Sequence, residues 1–408
     1  MLIHVVIVSE QVLANLIPIL MEKPDVVYLV ISEEMSRRKL DQRLKKLIEK
    51  ENLRAVIIDQ APDVGLSSIH EFALALIARI QNEHPDAELV LNATGGTKLM
   101  SIGFVEFFRG DAQRIIYTDT RHGTIELLPD QNGNVPPSEV MRDVLDVPHY
   151  IAAQGLRYTG AMSDQWDTER VTRRKAAAKY LAKHAVKLDR FFGVMNKLAS
   201  NALDQRSEKL IEPLQRLDYA PHSSIPWVNA LRELQKAGVL GWEDGSKDVG
   251  FIDAEGARFV CGGWLEEYAF HVIHDEGVFD VRLGVNVAPE QTGKDALDKV
   301  KNEFDVLACQ RNQLLFVECK TLRFVEGVND NELAYKLKSL GESARGLFGE
   351  TWLLSAQPPT PILVERCRQS RIKLMGPMDI ANLRESVQLW KRANEFAPTN
   401  PSTANKGK

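Results

Sequence analysis

The sequence lacks several features that mark specialised classes of protein. Its four cysteines, Cys261, Cys309, Cys319 and Cys367, show no CxxC spacing, which argues against a structural zinc site and against a disulfide framework. No apolar run reaches the roughly 18 residues that a bilayer span requires. The short apolar start of the chain also follows no basic segment of the kind that opens a signal peptide. We therefore expect a soluble, untargeted protein of the reducing cytoplasm, with no membrane partner.

An excess of positive charge is also missing. The 408 residues include 51 Lys and Arg against 56 Asp and Glu, which gives a net charge of −5. Any contact with a nucleic acid must then come from a local basic groove rather than from the whole surface. Hydrophobic residues make up 44% of the chain, as in ordinary globular proteins. The length suits two or three domains of roughly 100 to 200 residues each.

The first third of the chain alternates short β-branched runs with longer helical ones. The expected strands are Ile3–Val8, Val26–Ser32, Ala55–Asp59, Glu88–Asn92, Arg114–Thr118 and Thr124–Leu128. The expected helices are Gln11–Met21, Ser36–Glu51, Ser67–Asn82 and Lys98–Arg109. Continuous apolar strands that alternate with helices predict an α/β domain at residues 1–145, with a Rossmann-like parallel sheet covered on both faces.

The stretch LVLNATGGTKLMSIGF, residues 89–104, breaks an apolar strand with two glycines and then becomes helical. Gly95 and Gly96 allow a sharp turn, and the helix that follows presents unpaired N–H groups at its positive end. Thr94, Thr97 and Lys98 add further donors, so the turn favours a phosphodiester or polyphosphate. The spacing matches neither a P-loop nor GxGxxG, which disfavours a nicotinamide cofactor. A tight turn without a ligand is the alternative.

NATGGTKLMSIG resembles the signature turn of CRISPR-associated Rossmann fold (CARF) domains, which sense the cyclic oligoadenylates made by type III CRISPR complexes. The resemblance covers residue 1 to about residue 128. It implies that cyclic tetra-adenylate is the activator and that the protein is a homodimer, with the ring lying across the two-fold axis. The residues implied to line the ring are Asn92, Thr94, Gly95, Gly96, Thr97 and Lys98, with Ser9, Glu10 and Gln11 on the opposite rim.

The middle of the chain shows weaker signals. PDQNGNVPPSEV, residues 129–140, is rich in turn formers and indicates an exit from the first domain. A helical connector is expected at residues 146–220. Residues 221–260 predict a helix and a hairpin, which form either a small winged-helix-like segment or part of the next domain. A mixed α/β domain is expected at 261–395, and a disordered tail at 396–408, where apolar residues are missing.

NEFDVLACQRNQLLFVECKT, Asn302–Thr321, predicts two strands joined by a polar turn at residues 310–313. Glu318 and Lys320 are two residues apart on the second strand, so they share a face, and Asp305 can come alongside from the first strand. Two carboxylates and a lysine on one sheet face can bind a hard divalent ion, with an ammonium group beside the water that the ion activates. A purely structural network of these three charges is the alternative.

This Asp…Glu-x-Lys pattern resembles the core of the PD-(D/E)xK restriction-endonuclease-like superfamily, although the proline is absent. The resemblance implies phosphodiester hydrolysis in which Asp305, Glu318 and the carbonyl of Cys319 hold Mg²⁺ or Mn²⁺. It also implies that Lys320 positions or deprotonates the attacking water and stabilises charge on the phosphate.

Two flanking segments also resemble this superfamily. GGWLEEYAFHVI, residues 262–273, is similar to its first core helix, whose glutamate joins the metal shell. Glu266 is preferred for that role because Ala269 continues its helical face, while Glu267 stays open. Downstream, AYKLKSLGESARGLFG, residues 334–349, fits the helix that follows the active-site strand, with Lys336 and Lys338 as candidate contacts to the substrate backbone.

The whole layout resembles the single-CARF ancillary nucleases of type III CRISPR systems. That resemblance implies cleavage of single-stranded RNA, DNA or both in antiviral defence, activated by cyclic tetra-adenylate. Two other functions stay open. One is a nucleotide-responsive DNA-binding regulator with a non-catalytic second domain, and the other is an unregulated restriction or repair nuclease that binds no cyclic ligand.

Overall fold

The computed structural model describes residues 1–204, 206–207, 209–218, 225–290, 302–322, 333, 337 and 349–393. They form two compact units. The first unit is Met1–Arg157, and the second unit is Tyr158–Arg392. The predicted tail at 396–408 lies outside the described residues. So does the predicted helix at 334–349, with Lys336 and Lys338, apart from its positions 337 and 349.

The first unit contains a seven-stranded sheet in the order β3-β2-β1-β4-β5-β6-β7. Its strands are β1 Leu2–Ile7, β2 Val26–Val30, β3 Arg54–Ile58, β4 Glu88–Asn92, β5 Arg114–Asp119, β6 Thr124–Leu127 and β7 Glu139–Val140. Its helices are α1 Val12–Glu22, α2 Glu33–Arg37, α3 Leu40–Lys50, α4 Leu66–Glu83, α5 Lys98–Phe108 and α6 Val147–Ala153. Strands β1 to β5 pair in parallel and β6 and β7 are antiparallel, which confirms the predicted Rossmann-like fold.

The apolar pattern of this unit follows from burial on both faces of the sheet. Strands β1 and β2 are almost entirely buried, as continuous β-branched runs predict. Helix α3 buries one stripe, Leu40, Leu44, Leu47 and Ile48, and leaves its basic side exposed. The single helix predicted at 36–51 is instead α2 followed by α3, because Lys39 between them adopts a left-handed conformation with φ 58°.

The strand order places the two candidate loops side by side. Strand β1 pairs with β2 on one edge and with β4 on the other, so the loops that follow β1 and β4 leave the same end of adjacent strands. In open α/β sheets the chain connections diverge at such a point and leave a crevice where ligands bind. The turn at Gly95 and the Ser9–Gln11 segment therefore border one crevice.

The second unit is built on a six-stranded mixed sheet, β16-β15-β14-β13-β12-β8, and a three-stranded sheet, β10-β11-β9. Its strands are β8 Leu156–Ala161, β9 Leu214–Arg216, β10 Leu240–Trp242, β11 Asp248–Phe251, β12 Asp280–Pro289, β13 Asn302–Gln310, β14 Gln313–Lys320, β15 Glu350–Ser355 and β16 Ile372–Met375. Its helices are α7 Thr168–Lys183, α8 Asp189–Ala202, α9 Ile225–Lys236, α10 Ala254–Arg258, α11 Trp264–Asp275, α12 Pro361–Gln369, α13 Pro377–Ile380 and α14 Leu383–Ala393. A π-helical turn, Phe259–Gly263, precedes α11.

The predicted hairpin lies in the middle of the larger sheet. Strands β13 and β14 pair antiparallel up to Gln310 opposite Gln313. The two turn residues, Arg311 and Asn312, have φ of 52° and 56°, as a two-residue type I′ turn requires. Near the open end of the hairpin Val306 pairs with Val317, which sets Asp305 and Glu318 at neighbouring positions on the two strands.

The second unit begins well before residue 261, where the predicted nuclease domain starts. Helices α7 and α8, predicted as a connector, share one apolar core with α11 and the larger sheet. Phe192 of α8 stacks on Trp264 of α11 with ring centroids 4.9 Å apart. The predicted winged-helix-like segment contributes Leu231 and Trp242 to the same core. The difference arises for α7 because its sequence is rich in alanine and in charged residues, so its buried face is set by tertiary packing rather than by a visible apolar stripe.

Two expectations about the chain as a whole can be compared with the described residues. All four cysteines are free thiols. No helix in the described part of the chain combines the length and the apolar character that a membrane crossing needs.

A buried ion pair joins α7 to α11. The Arg174 guanidinium contacts both carboxylate oxygens of Glu267, at 2.8 and 3.2 Å, and each side chain is 6% exposed. Burial raises the pKa of Glu267 to about 7, and Arg174 opposes that rise. Because both side chains are buried, water cannot solvate either charge if its partner is removed.

We expect Arg174→Met to lower the free energy of unfolding of the second unit by about 3–5 kcal/mol, because Glu267 would stay buried without its partner. The double variant Arg174→Met/Glu267→Leu should recover most of that loss, since an apolar pair needs no compensating charge. Urea unfolding followed by circular dichroism measures both effects. Equal losses in the single and double variants would contradict this account of the pair.

Candidate functional site

The glycine turn after β4 is packed directly on the end of β1. A Cβ atom built on Gly95 would lie 1.9 Å from the Ile7 carbonyl oxygen, so only glycine fits this position. Gly96 has φ +75°, a left-handed conformation that glycine adopts without strain. The two glycines thus bring the backbone of one loop against the end of the neighbouring strand.

Asn92 and Thr94 hold the turn from within. The Asn92 side chain is fully buried, and its Oδ1 accepts hydrogen bonds from the Thr94 amide (3.0 Å) and the Thr94 hydroxyl (2.6 Å). The Thr94 hydroxyl accepts a 2.7 Å bond from the Thr118 amide on β5. These polar atoms are therefore engaged in shaping the turn.

The first turn of α5 faces outward beside the glycines. Thr97 caps the helix, and its hydroxyl accepts a 3.2 Å bond from the Met100 amide. Gly96, Thr97 and Lys98 are all exposed. Lys98 makes no ion pair with any residue that the structure describes. A helix N-terminus with an uncommitted ammonium group beside it can bind an anion.

The opposite rim starts at the end of β1. The Ser9 amide donates to Asn15 Oδ1 at 3.3 Å, and Asn15 Nδ2 donates to the Ile7 carbonyl at 3.1 Å. Glu10 and Gln11 are exposed, and Glu10 is ion-paired with Arg38. Sequence reasoning missed Asn15 and Arg38. A signal existed for Asn15, which is a single polar residue on the buried side of an apolar helix.

In the second unit the predicted trio comes together at the open end of the hairpin. Glu318 is 1% exposed, and its Oε1 accepts a 2.7 Å bond from Lys320 Nζ. Asp305 Oδ2 accepts a 2.6 Å bond from the Cys319 amide. Burial opposes the charged form of Lys320, yet Glu318 and Asp305 raise its pKa above the usual range. Lys320 therefore stays an ammonium group at neutral pH.

Glu266, and not its neighbour Glu267, faces this trio. Burial, and after it the negative charges of Asp305, Glu303 and Glu318, raise the pKa of Glu266 to about 8, and Lys320 opposes that rise. Glu267 is engaged with Arg174 instead. Sequence reasoning missed Glu303, although its position two residues before Asp305 on the same strand was a signal.

The donor set fits a hard divalent cation by its chemistry. The charges of Glu303, Asp305 and Glu318 all act on Glu266; Glu318 is buried, Glu266 and Asp305 are half-buried and Glu303 is exposed. Carboxylate oxygens of this kind suit Mg²⁺ or Mn²⁺. Within the described ranges, no three His, Cys, Asp or Glu side chains already form a group that could hold a metal ion. Instead, the Lys320 ammonium supplies the positive charge next to Glu318.

Cys319 contributes no thiolate to this group. Burial raises the pKa of its thiol well above the usual range, and the surrounding carboxylates raise it further. The sulfur therefore remains protonated, which leaves the carbonyl as the only ligand that Cys319 could supply.

The chain is similar to known proteins in both units. Residues 3–150 match the family described as the Card1 CARF domain, and residues 253–394 match the Card1-like endonuclease domain. No match is found among curated protein sequences.

Three solved structures share the architecture. Protein VC1899 from Vibrio cholerae has a TM-score of 0.81 at 22% identity, covering 97% of this chain and 99% of that chain. Can2 from Sulfobacillus thermosulfidooxidans, in complex with cyclic tetra-adenylate, has a TM-score of 0.70 at 23% identity, covering 95% and 99%. A type III CRISPR defence DNA nuclease activated by cyclic oligoadenylate has a TM-score of 0.50 at 16% identity, covering 88% and 46%. At these identities the likeness shows a shared fold.

Gly95→Ala should disrupt the crevice of the first unit, because the new methyl group cannot avoid the Ile7 carbonyl unless the end of β1 moves. Overpacking of this kind costs about 1–3 kcal/mol. We expect a lower melting temperature and a weakened affinity for a cyclic oligoadenylate, measured by thermal unfolding and calorimetry. Gly110→Ala is the matched control, because the nearest atom to its new Cβ would be a flexible side-chain end 4.0 Å away. Equal behaviour of the two variants would contradict the close approach.

Proposed function

Because the chain belongs to the Card1-like family, with a CARF domain followed by an endonuclease domain, we propose that a cyclic oligoadenylate activates it to cleave nucleic acid. The proposed reaction is metal-dependent hydrolysis of phosphodiester bonds in single-stranded RNA, DNA or both, as part of type III CRISPR antiviral defence in the cytoplasm. The observation that carries the proposal is the Glu318–Lys320 ion pair inside a buried strand, beside Asp305 and Glu266. A buried ion pair of this kind adds little net stability, and charges with strongly shifted pKa values cluster at functional sites.

The proposed activator is cyclic tetra-adenylate, which the Can2 structure contains. The exposed Lys98 ammonium and the first amides of α5 would contact its phosphates. Thr97, whose hydroxyl donates to the Asp63 carbonyl at 3.2 Å, would line the ring beside them. The side chains of Asn92 and Thr94 would support the turn beneath the ring. Gly95, Gly96, Ser9, Glu10 and Gln11 would form the rest of the crevice. A homodimer is proposed because a symmetric ring matches a pocket on a two-fold axis.

Asp305, Glu318, Glu266 and the Cys319 carbonyl would hold Mg²⁺ or Mn²⁺. When bound, the ion supplies an activated water and neutralises charge on the scissile phosphate. The protein's own contribution is positional. Asp305 is fixed by the Cys319 amide, and Glu318 is oriented by Lys320.

Lys320 acts as a charged donor in this scheme. Its raised pKa keeps it protonated, so it is suited to hold a phosphate oxygen as negative charge develops and poorly suited to remove a proton from water. Its hydrogen bond to Glu318 fixes the direction in which the ammonium points.

Lys320→Ala should reduce cleavage by about 100-fold or more, because one preorganised donor to a developing charge contributes that much. Cleavage of labelled single-stranded RNA and DNA is measured with Mn²⁺ or Mg²⁺, with and without cyclic tetra-adenylate, and ligand affinity by calorimetry. Affinity should be unchanged. Lys175→Ala is the control, since Lys175 lies in the same unit and is also paired with a carboxylate, Asp275, at 2.6 Å. The proposal would be overturned if Lys320→Ala cleaved as fast as the parent protein, or if the parent protein cleaved equally fast with and without cyclic tetra-adenylate.

Cleavage should rise with pH towards about 8, because Glu266 must lose its proton before it can hold a cation. The folded-state pKa lies above the ordinary value of 4.5. Glu266 therefore stabilises the metal-free protein most at low pH, and that stability is lost as the pH rises through about 8. Initial rates at saturating and subsaturating Mn²⁺ between pH 6 and 9 test this expectation. Glu266→Gln should weaken Mn²⁺ activation and flatten the profile, and an unchanged profile would count against this role for Glu266.

A further inference from the structure

A cleft of about 980 Å³ opens beside Glu266 inside the second unit. One wall is formed by α10, the π-helical turn and the start of α11. The opposite wall comes from residues 161–204, which include the N-terminal part of α7 and the C-terminal end of α8. That second wall lies between the two ranges that match known families, 3–150 and 253–394.

The wall formed by residues 161–204 presents one aromatic ring and one accessible arginine to the cleft. Trp166 is half-buried and lines the cleft, with its ring edge-to-face against Phe270 at 4.8 Å. Arg170 lies in the first turn of α7, and its side chain is 25% exposed. Arg170 is paired with Asp253 and with Glu255, whose own side chains are 41% and 51% exposed.

Two consecutive glycines line the cleft near Glu266. Gly262 and Gly263 both line it, in the π-helical turn that leads into α11. Gly262 has φ 157°, and the chain kinks there. A Cβ atom on Gly262 would lie 3.4 Å from Thr321 Oγ1 and one on Gly263 would lie 3.3 Å from the Arg258 carbonyl oxygen, so the two glycines serve the packing of this turn. π-helical turns are frequent at functional sites.

The cleft is not a basic groove. Its lining includes three arginines, Arg170, Arg174 and Arg258, against six carboxylates, Asp167, Asp204, Glu255, Glu266, Glu267 and Glu303. General attraction for a polyanion therefore cannot hold a nucleic acid here. The cleft could still bind a nucleic acid through stacking on an aromatic ring and through a few specific phosphate contacts. These interactions suit an unpaired strand, whose bases are exposed.

We propose that residues 161–204 form part of the substrate site of the nuclease, with Trp166 stacking on a base and Arg170 contacting the backbone of a single strand. This inference rests on the nuclease function proposed above. Trp166 and Arg170 would set how the strand approaches Glu266, and the phosphate would take the place of the exposed carboxylates that now pair with Arg170.

The test uses the full-length protein with saturating cyclic tetra-adenylate. Binding of a fluorescein-labelled single-stranded DNA is followed by anisotropy in EDTA across a range of salt concentrations, and cleavage of the same strand in Mn²⁺. The variants are Arg170→Ala, Trp166→Ala and Trp166→Phe. Arg232→Ala is the matched control, because Arg232 is also held by an exposed aspartate, Asp244, and does not line the cleft.

Arg170→Ala and Trp166→Ala should each weaken binding and raise KM by about tenfold with little change in kcat, while Trp166→Phe keeps most of the affinity. Arg170→Ala should also reduce the slope of log affinity against log salt by about 0.7, the value for one phosphate contact on a single strand. If Trp166→Ala unfolds the unit, Arg170→Ala and Trp166→Phe decide the matter. Both effects can be measured even if the affinity of the parent protein for DNA depends only weakly on salt concentration.

Two results separate this inference from the proposed function. In the first result, the parent protein cleaves, but Arg170→Ala and Trp166→Ala bind DNA as tightly as Arg232→Ala does. This result would overturn the cleft assignment and leave the proposed nuclease function intact. Binding that depends on Arg170 and Trp166, without any cleavage under Mn²⁺ or Mg²⁺, would support the cleft and overturn the nuclease. Failure of the parent protein to bind the strand at all would overturn the cleft assignment.

Discussion

The contact between Lys320 and Glu318 lies within a strand whose other side chains are nearly all apolar, and the centre of the second unit is arranged around it. An ionised carboxylate removed from water costs several kcal/mol unless a nearby charge and hydrogen bonds replace the lost solvation. Lys320 provides that charge for Glu318. Among the described residues Glu266 forms no ion pair, and its pKa is raised first by burial and then by the negative charges of Asp305, Glu303 and Glu318, which Lys320 offsets only in part. A divalent ion would remove this imbalance.

The crevice of the first unit uses a different physical means. Its precision comes from close packing and from hydrogen bonds to the backbone, since Gly95 touches Ile7 and Asn92 holds Thr94. The exposed groups, Thr97 and Lys98, lie at the start of α5. Such a site loses little free energy when it is empty, because its exposed donors stay in water. In the second unit the Glu318 and Glu266 carboxyl groups are shielded from water, so the free-energy cost of their desolvation is present whether or not a ligand is bound.

The elements of the first unit could be predicted from sequence because continuous apolar strands and glycine turns are local signals, and β4 was predicted to the residue. The choice between Glu266 and Glu267 could not be settled in the same way. The two residues are adjacent in one helical turn. The contact that distinguishes them is the one between Glu267 and Arg174, which is distant in sequence. The start of the second unit was missed for a related reason, since Ala177 and Ala182 are buried by packing and not by their own hydrophobicity.

The small sheet β10-β11-β9 and helix α9 fall in the segment for which the sequence left a winged-helix-like module open, which raises the question of whether this segment binds DNA. Its described cations are largely neutralised within the segment, since Arg232 pairs with Asp244 and Lys236 with Glu233. Affinity for duplex DNA depends mainly on cations that can replace counterions at the phosphates, and a cation already paired contributes less. The apolar side of α9, including Leu231 and Leu234, instead packs into the core shared with α11. The segment therefore supports the helix that carries Glu266, which favours a structural part in the nuclease over a separate regulatory DNA contact.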